Sequence, residues 1–164
     1  MKPFLGFLYE LVKYNRNKRP INVLEIGVCK GYSTNAFLSA LSKRRYGGML
    51  YSIDKRVSRY DAPEEYEKYW TFIKNNSRKE PWDKKIDILM IDGDRSYEGT
   101  KFDFDKFSPF VRDDGFILLH EMATSRKESY RIWEEIDCPK IILPMGRNGL
   151  GVVAKKDYWE INNK

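Results

Sequence analysis

Apolar positions change period along the chain. Phe4, Leu5, Leu8, Leu11 and Val12 recur at helical spacing, which predicts an amphipathic helix over residues 3–14 packed on the rest of the fold, with a mobile lid over a ligand as the alternative. A basic linker, Asn15 to Pro20, follows. Short apolar runs then read as strands at 22–26, 49–54, 69–74, 86–92, 116–121, 140–143 and 148–154. Between them, 33–44 carries Ala36, Phe37, Ala40 and Leu41 on one helical face. Residues 61–68 read as a short helix, 100–107 as a helix with Phe104 and Phe107 inward, and 121–136 as containing another. Ser33 is the expected N-cap of its helix, and Gly47-Gly48 its stop. Asp113-Asp-Gly115 reads as a turn before the fifth strand. Ile86–Asp92 is the most apolar run up to that point, as suits a central parallel strand. Strands 140–143 and 148–154 are joined through Pro144–Gly149, too short for a parallel crossover, so they pair antiparallel.

The stretch around which this pattern is organised is Asn22-Val-Leu-Glu-Ile-Gly-Val-Cys-Lys-Gly-Tyr-Ser-Thr34. It reads as strand, glycine turn and helix start. The glycines allow a tight turn and close approach to a ligand, and the helix start offers free N–H groups. The spacing is E-x-G-x-x-x-G, and Cys29 stands where a dinucleotide fingerprint has the glycine that admits a pyrophosphate. That disfavours NAD. Glu25, an acid inside the strand, suits a ligand with a positive amino group. Asp54 closes the second strand roughly twenty residues on, the spacing that sets a carboxylate over ribose hydroxyls. A turn cap is the simpler role for it.

These residues resemble the first motif of class I methyltransferases that use S-adenosylmethionine (SAM). Leu24–Thr34 is most similar to the small-molecule O-methyltransferase subgroup called methyltransferase family 24. A second segment, Ile91-Asp-Gly-Asp-Arg-Ser-Tyr-Glu-Gly99, resembles that family's I-D-G-D-H-x-Y-E-G. The resemblance runs from about residue 22 to 154. It implies an α/β fold, a Rossmann-like three-layer sandwich whose seven-stranded sheet is mostly parallel, with the last strand antiparallel and order 3-2-1-4-5-7-6. The expected organisation is one domain over 1–164: N-terminal helix and linker to 20, core 21–155, tail 156–164. The implied SAM contacts are Glu25, Gly27, Val28, Gly31, Ser33, Asp54, Lys55, Asn76, Ser77 and Asp92. The Asn75–Ser77 loop would border the adenine, although Asn-Asn-Ser is also ordinary turn chemistry.

Methyl transfer to a hydroxyl needs alignment and a proton acceptor. Asp92, Asp94 and His120 are the catalytic candidates, all at strand ends on one rim. In the resembling family, acids after the fourth and fifth strands hold a divalent cation. Asp92, His120 and Glu121 are therefore candidate ligands for Mg²⁺ or Mn²⁺. The chain departs from the family at Arg95, where the family has histidine. A permanently charged guanidinium is no general base, but it can pair with Asp92 or Asp94, or bind an acidic acceptor.

Composition narrows the classes. The 164 residues suffice for one compact domain, and abundant apolar residues argue against disorder. The net charge of +6 arises from Lys and Arg interleaved with Asp and Glu, a mixed surface more than a nucleic-acid patch. Cys29 and Cys138 lack metal spacing and read as free thiols in a reducing, cytoplasmic setting. No apolar run spans a bilayer. The expected partner is a small-molecule or sugar acceptor, with a homo-oligomer left open. The competing functions are a SAM-binding module without catalysis and an RNA-modifying methyltransferase.

Overall fold

The computed structural model describes residues 4–56, 60–122, 128–145 and 148–156. Of the expected segments, Pro3, residues 123–127 of the fifth helical stretch and the tail past Lys156 lie outside these. The elements are α1 (Phe4–Lys13), β1 (Ile21–Ile26), α2 (Tyr32–Lys43), β2 (Gly48–Asp54), α3 (Glu64–Glu67), β3 (Trp70–Lys74), β4 (Ile86–Ile91), α4 (Tyr97–Phe107), a 3₁₀ turn (Ser108–Phe110), β5 (Val111–His120), α5 (Tyr130–Glu135), β6 (Lys140–Leu143) and β7 (Leu150–Ala154).

The seven strands form one sheet in the order β3-β2-β1-β4-β5-β7-β6. The pairs from β3 across to β5 are parallel, and β7 runs antiparallel to both β5 and β6. This is the expected topology. Successive side chains in the central strands serve opposite cores. Val23, Ile88, Met90 and Leu118 pack with α1 and α2, while Leu24, Leu89, Ile91, Ile117 and Leu119 pack with Phe107, Ile132 and Trp133. A strand covered on both faces must be apolar on both, which is why β4 is buried throughout. α1 buries Phe4, Leu8 and Val12, one residue per turn, so its stripe faces the core. None of the helices among the described residues is long and apolar enough to cross a membrane.

Several boundaries differ from the sequence expectation, among them the starts of β5, α4 and α2. β5 begins at Val111, and the expected turn at Asp113–Gly115 is an irregularity within it: Ile86 pairs with Val111 and Ile88 already with Phe116. α4 begins at Tyr97, because the Ser96 hydroxyl accepts from the Gly99 N–H at 3.0 Å and caps the helix one turn earlier. α2 begins at Tyr32 with Gly31 in the left-handed region at its N-cap, so Ser33 lies inside the first turn and does not cap it.

Candidate functional site

β1 is flanked by β2 on one side and β4 on the other, so the chain changes winding direction between β1 and β4. In open α/β sheets, ligands bind outside the carboxyl ends of the strands at such a point. A cavity of about 470 Å³ opens there, within the range of small-molecule sites. Its wall is supplied by the ends of four strands: Gly27 and Cys29 after β1, Asp54–Arg56 after β2, Asn75–Arg78 after β3, and Asp92–Arg95 after β4, with Asp103 from α4 behind. Of the residues singled out from sequence, Gly27, Asp54, Lys55, Asn76, Ser77, Asp92 and Asp94 line this cavity. Glu25, Val28, Gly31, Ser33, His120 and Glu121 do not.

The glycine turn is held from both sides. The Gly27 N–H donates to the Ile53 carbonyl at 2.9 Å, and the Asp92 N–H to the Ile26 carbonyl at 2.9 Å. Gly27 sits at φ 90°, in backbone space that favours glycine, and Cys29 adopts φ 51° despite its side chain. Asp54 supports this loop. One carboxylate oxygen accepts from the Val28 and Cys29 N–H groups at 2.9 and 3.3 Å, the other from the Arg56 N–H at 3.0 Å. The simpler role for Asp54, a turn cap, is thus present, and the residue also faces the cavity. At the far end of the turn Gly31 lies against Tyr60, whose hydroxyl donates to Asn35 Oδ1 at 2.9 Å.

Glu25 is placed differently from the expectation that it meets a ligand amino group. Strand alternation turns it with Val23 toward α2, where it is fully buried. The hydroxyls of Ser33, Thr34 and Ser52 donate to its carboxylate at 2.5, 2.8 and 2.8 Å, and Ser52 in turn accepts from the Trp70 indole at 3.0 Å. Burial pushes its pKa up to about 7, against the pull of the three hydroxyls and with a further push from the Asp92 charge. Glu25 and Ser33 therefore tie β1 to α2 beneath the turn, and neither opens to the cavity.

The loop after β3 is organised by a lysine that the sequence did not mark. Lys106 Nζ donates to the carbonyls of Ser77, Arg78 and Glu80 at 2.6, 3.2 and 2.6 Å. The Asn76 side chain accepts from the Arg78 N–H at 3.0 Å, an Asx-type turn, and the Asn75 N–H donates to the Asp54 carbonyl at 3.0 Å. Asp103, buried on α4, is raised in pKa by that burial and bonds to Ser77. An acid or lysine on an amphipathic helix reads as solvent-facing, so neither Asp103 nor Lys106 carried a signal in one dimension.

On the β4–β5 rim, Asp92 Oδ1 lies 2.9 Å from His120 Nδ1 and 3.1 Å from an Arg95 guanidinium nitrogen. The other guanidinium nitrogen donates to Glu121 Oε1 at 2.7 Å. His120 is buried against Phe4 of α1, ring centroids 5.3 Å apart. Asp94 is turned the other way. It accepts from the Ser96 N–H and hydroxyl at 3.1 and 2.8 Å, and the Ser96 backbone bond, then its hydroxyl, hold the Asp94 pKa low. A carboxylate held low is a poor proton acceptor. Asp92, His120 and Glu121, the expected metal ligands, thus meet one another and Arg95 on this rim. Among the described residues no group of three or more His, Cys, Asp or Glu converges on a metal position. The Arg95 guanidinium bridges Asp92 and Glu121.

A family model described as a methyltransferase domain matches residues 24–122. None of the curated proteins matches the chain. Solved structures share the fold. One, from Staphylococcus aureus and assigned as a caffeoyl-CoA O-methyltransferase, is 19% identical, with a TM-score of 0.65 over 90% of this chain and 80% of that one. A TDP-rhamnose 3′-O-methyltransferase of calicheamicin biosynthesis is 16% identical, with a TM-score of 0.67 over 93% and 78%. A protein from Clostridium thermocellum assigned as an rRNA methylase is 15% identical, with a TM-score of 0.61 over 93% and 96%. The family model spans more than half of the chain and takes in the end of β1, the glycine turn and the β4–β5 rim. The chain belongs to this methyltransferase domain family and is a class I SAM-dependent methyltransferase.

Proposed function

We propose that the chain, acting as one domain over 1–164, methylates a hydroxyl oxygen of a small molecule or sugar, with SAM held in the cavity outside β1, β2 and β4. The observation that carries this reading is the position of the Asp92–His120 pair, one member of which lines the cavity wall while the other is buried behind it. The residues present fit the cofactor. Asp54 at the end of β2 presents a carboxylate to ribose hydroxyls, and Asn76 and Ser77 border the base. Bound there, SAM supplies an electrophilic methyl group. The protein's part is to align the acceptor oxygen and take its proton, which Asp92, oriented by His120, is placed to do.

Two of the structural neighbours named above are O-methyltransferases by description, one of a sugar hydroxyl, which supports a small acceptor. RNA is the second reading, favoured by the basic balance of the chain and by a methylase neighbour of nearly the same length. A binding module without catalysis, to which the Arg95 departure points, is the weaker reading beside the Asp92–His120 pair at the cavity. The test is calorimetry with S-adenosylhomocysteine and with NAD, followed by methyl transfer from labelled SAM to phenolic, sugar and RNA acceptors. Saturable binding of S-adenosylhomocysteine, none of NAD, and label on a hydroxyl compound are expected. Label on RNA, with an affinity that falls steeply with salt, would establish the second reading. Stabilisation by NAD alone would sink both.

A further inference from the structure

We infer that Arg95 is the resident cation of the β4–β5 rim, standing where a divalent metal would have to bind, so that the methyl-transfer centre works without one. The inference takes its purpose from the proposed function, but its first test does not depend on it.

Three observations carry it. The guanidinium bridges two acids from different strands, 3.1 Å from Asp92 Oδ1 and 2.7 Å from Glu121 Oε1. A metal held by Asp92, His120 and Glu121 would need all three donors turned toward one point. Here Asp92 Oδ1 and His120 Nδ1 face each other at 2.9 Å instead. Second, the Glu121 backbone adopts φ 66°, a left-handed conformation uncommon for a side chain of this kind, while its carboxylate is buried against Arg95. The sharp turn after β5 thus delivers the acid to the guanidinium. Third, Arg95 is about half exposed and lines the cavity, so the pairing leaves part of it toward the ligand side.

The chemistry follows from what guanidinium is. It stays protonated throughout the working pH range, and its planar fork matches two carboxylates. The guanidinium offsets the repulsion between Asp92, on the cavity wall, and the buried Glu121. Asp92, held by His120 and Arg95, faces the cavity as the proton acceptor. Its cavity-side N–H groups donate to the acceptor oxygen and stabilise negative charge there as the proton leaves, the part a Lewis-acidic metal would otherwise take. In that step an electron pair of the acceptor oxygen forms the O–CH₃ bond, the C–S pair returns to sulfur, and the acceptor proton passes to the Asp92–His120 pair and then to water.

The test titrates the full chain with MnCl₂ in a calorimeter with no cofactor present, so that its failure and the failure of SAM binding are separate results. Wild type is expected to show no saturable Mn²⁺ binding and no change of thermal midpoint in EDTA. Arg95→Ala is expected to gain a Mn²⁺ site, at least about tenfold tighter than any wild-type response, because two carboxylates lose their cation. That site should vanish in Arg95→Ala/Asp92→Asn. Arg95→Lys, which keeps the charge, should still exclude Mn²⁺. Wild type that binds Mn²⁺ and loses it in Asp92→Asn overturns the inference, as does a folded Arg95→Ala that gains no site. Should Arg95→Ala not fold, the wild-type and Arg95→Lys titrations decide: Mn²⁺ bound stoichiometrically by either overturns it.

Discussion

The backbone carbonyl oxygen of Asp92 lies 2.5 Å from the point where a Cβ on Gly27 would stand. The two loops that close the candidate site, one after β1 and one after β4, are therefore in backbone contact. The contact explains Gly27 without reference to any ligand.

Gly27→Ala should be strongly destabilising. The added methyl meets backbone, which cannot swing aside as a side chain would, and φ 90° is strained for alanine. Strain and overpacking together predict a loss of about 2–4 kcal/mol. Urea denaturation measures it. A loss of only a few tenths would show that the ends of β1 and β4 separate easily.

Glu25 makes stability depend on pH in a defined window. Its folded pKa is about 7, above the ordinary 4.5. The contribution is therefore full below about pH 4.5 and is lost as pH rises toward 7, because the unfolded chain releases this proton first. A shift of this size corresponds to roughly 3 kcal/mol. In Glu25→Gln the drop between these pH values should shrink by about that amount relative to wild type. Parallel denaturation curves at pH 4.5, 6 and 7.5 provide the comparison, and equal slopes would place the titration elsewhere.

Asp54→Ala separates the two roles of that carboxylate. Three backbone N–H groups lose their acceptor, and so would the ribose. S-adenosylhomocysteine affinity should fall by roughly 1.5–3 kcal/mol, the scale of hydrogen bonds to a charged group. Circular dichroism should show the fold retained. An unchanged affinity in the folded variant would confine Asp54 to the turn.

Lys106→Met should loosen the loop after β3 while leaving the sheet intact. The ammonium holds three carbonyls between Ser77 and Glu80 that would otherwise lack a common partner. Hydrogen exchange at residues 77–80 should speed up by the equivalent of about 1.5–3 kcal/mol, with β4 amides unaffected. If Asn76 and Ser77 border the base, cofactor affinity weakens in the same variant. Faster exchange spread across β4 would mean that Lys106 supports the sheet instead.

The one-dimensional pattern determined the elements, and the resemblance carried by two motifs implied their order in the sheet. Apolar runs of strand length, glycine breaks and helical stripes are local properties, and burial on both faces of β4 leaves its mark on every residue of the run but Asp87. The short Pro144–Gly149 connection likewise announces an antiparallel pair. The two motifs and Asp54 also located the rim, since Gly27, Asp54 and Asp92 stand at the ends of β1, β2 and β4, which lie side by side in the sheet.

What only the tertiary structure decided is where charged side chains point and whom they meet. Glu25 was legible as an unusual acid in a strand, but its three hydroxyl partners come from α2 and β2, and the sequence does not say which face of β1 will be covered by them. Asp103 and Lys106 read as surface positions because a helix shows its periodicity and not the loop packed against it. Asp92, Arg95, His120 and Glu121 were all named as neighbours on a rim. Whether they would hold a metal or pair among themselves depended on a few ångströms between β4 and β5, and a long flexible guanidinium reached both acids. Pairing of charges is a property of distances in space, and sequence spacing fixes those only along one element at a time.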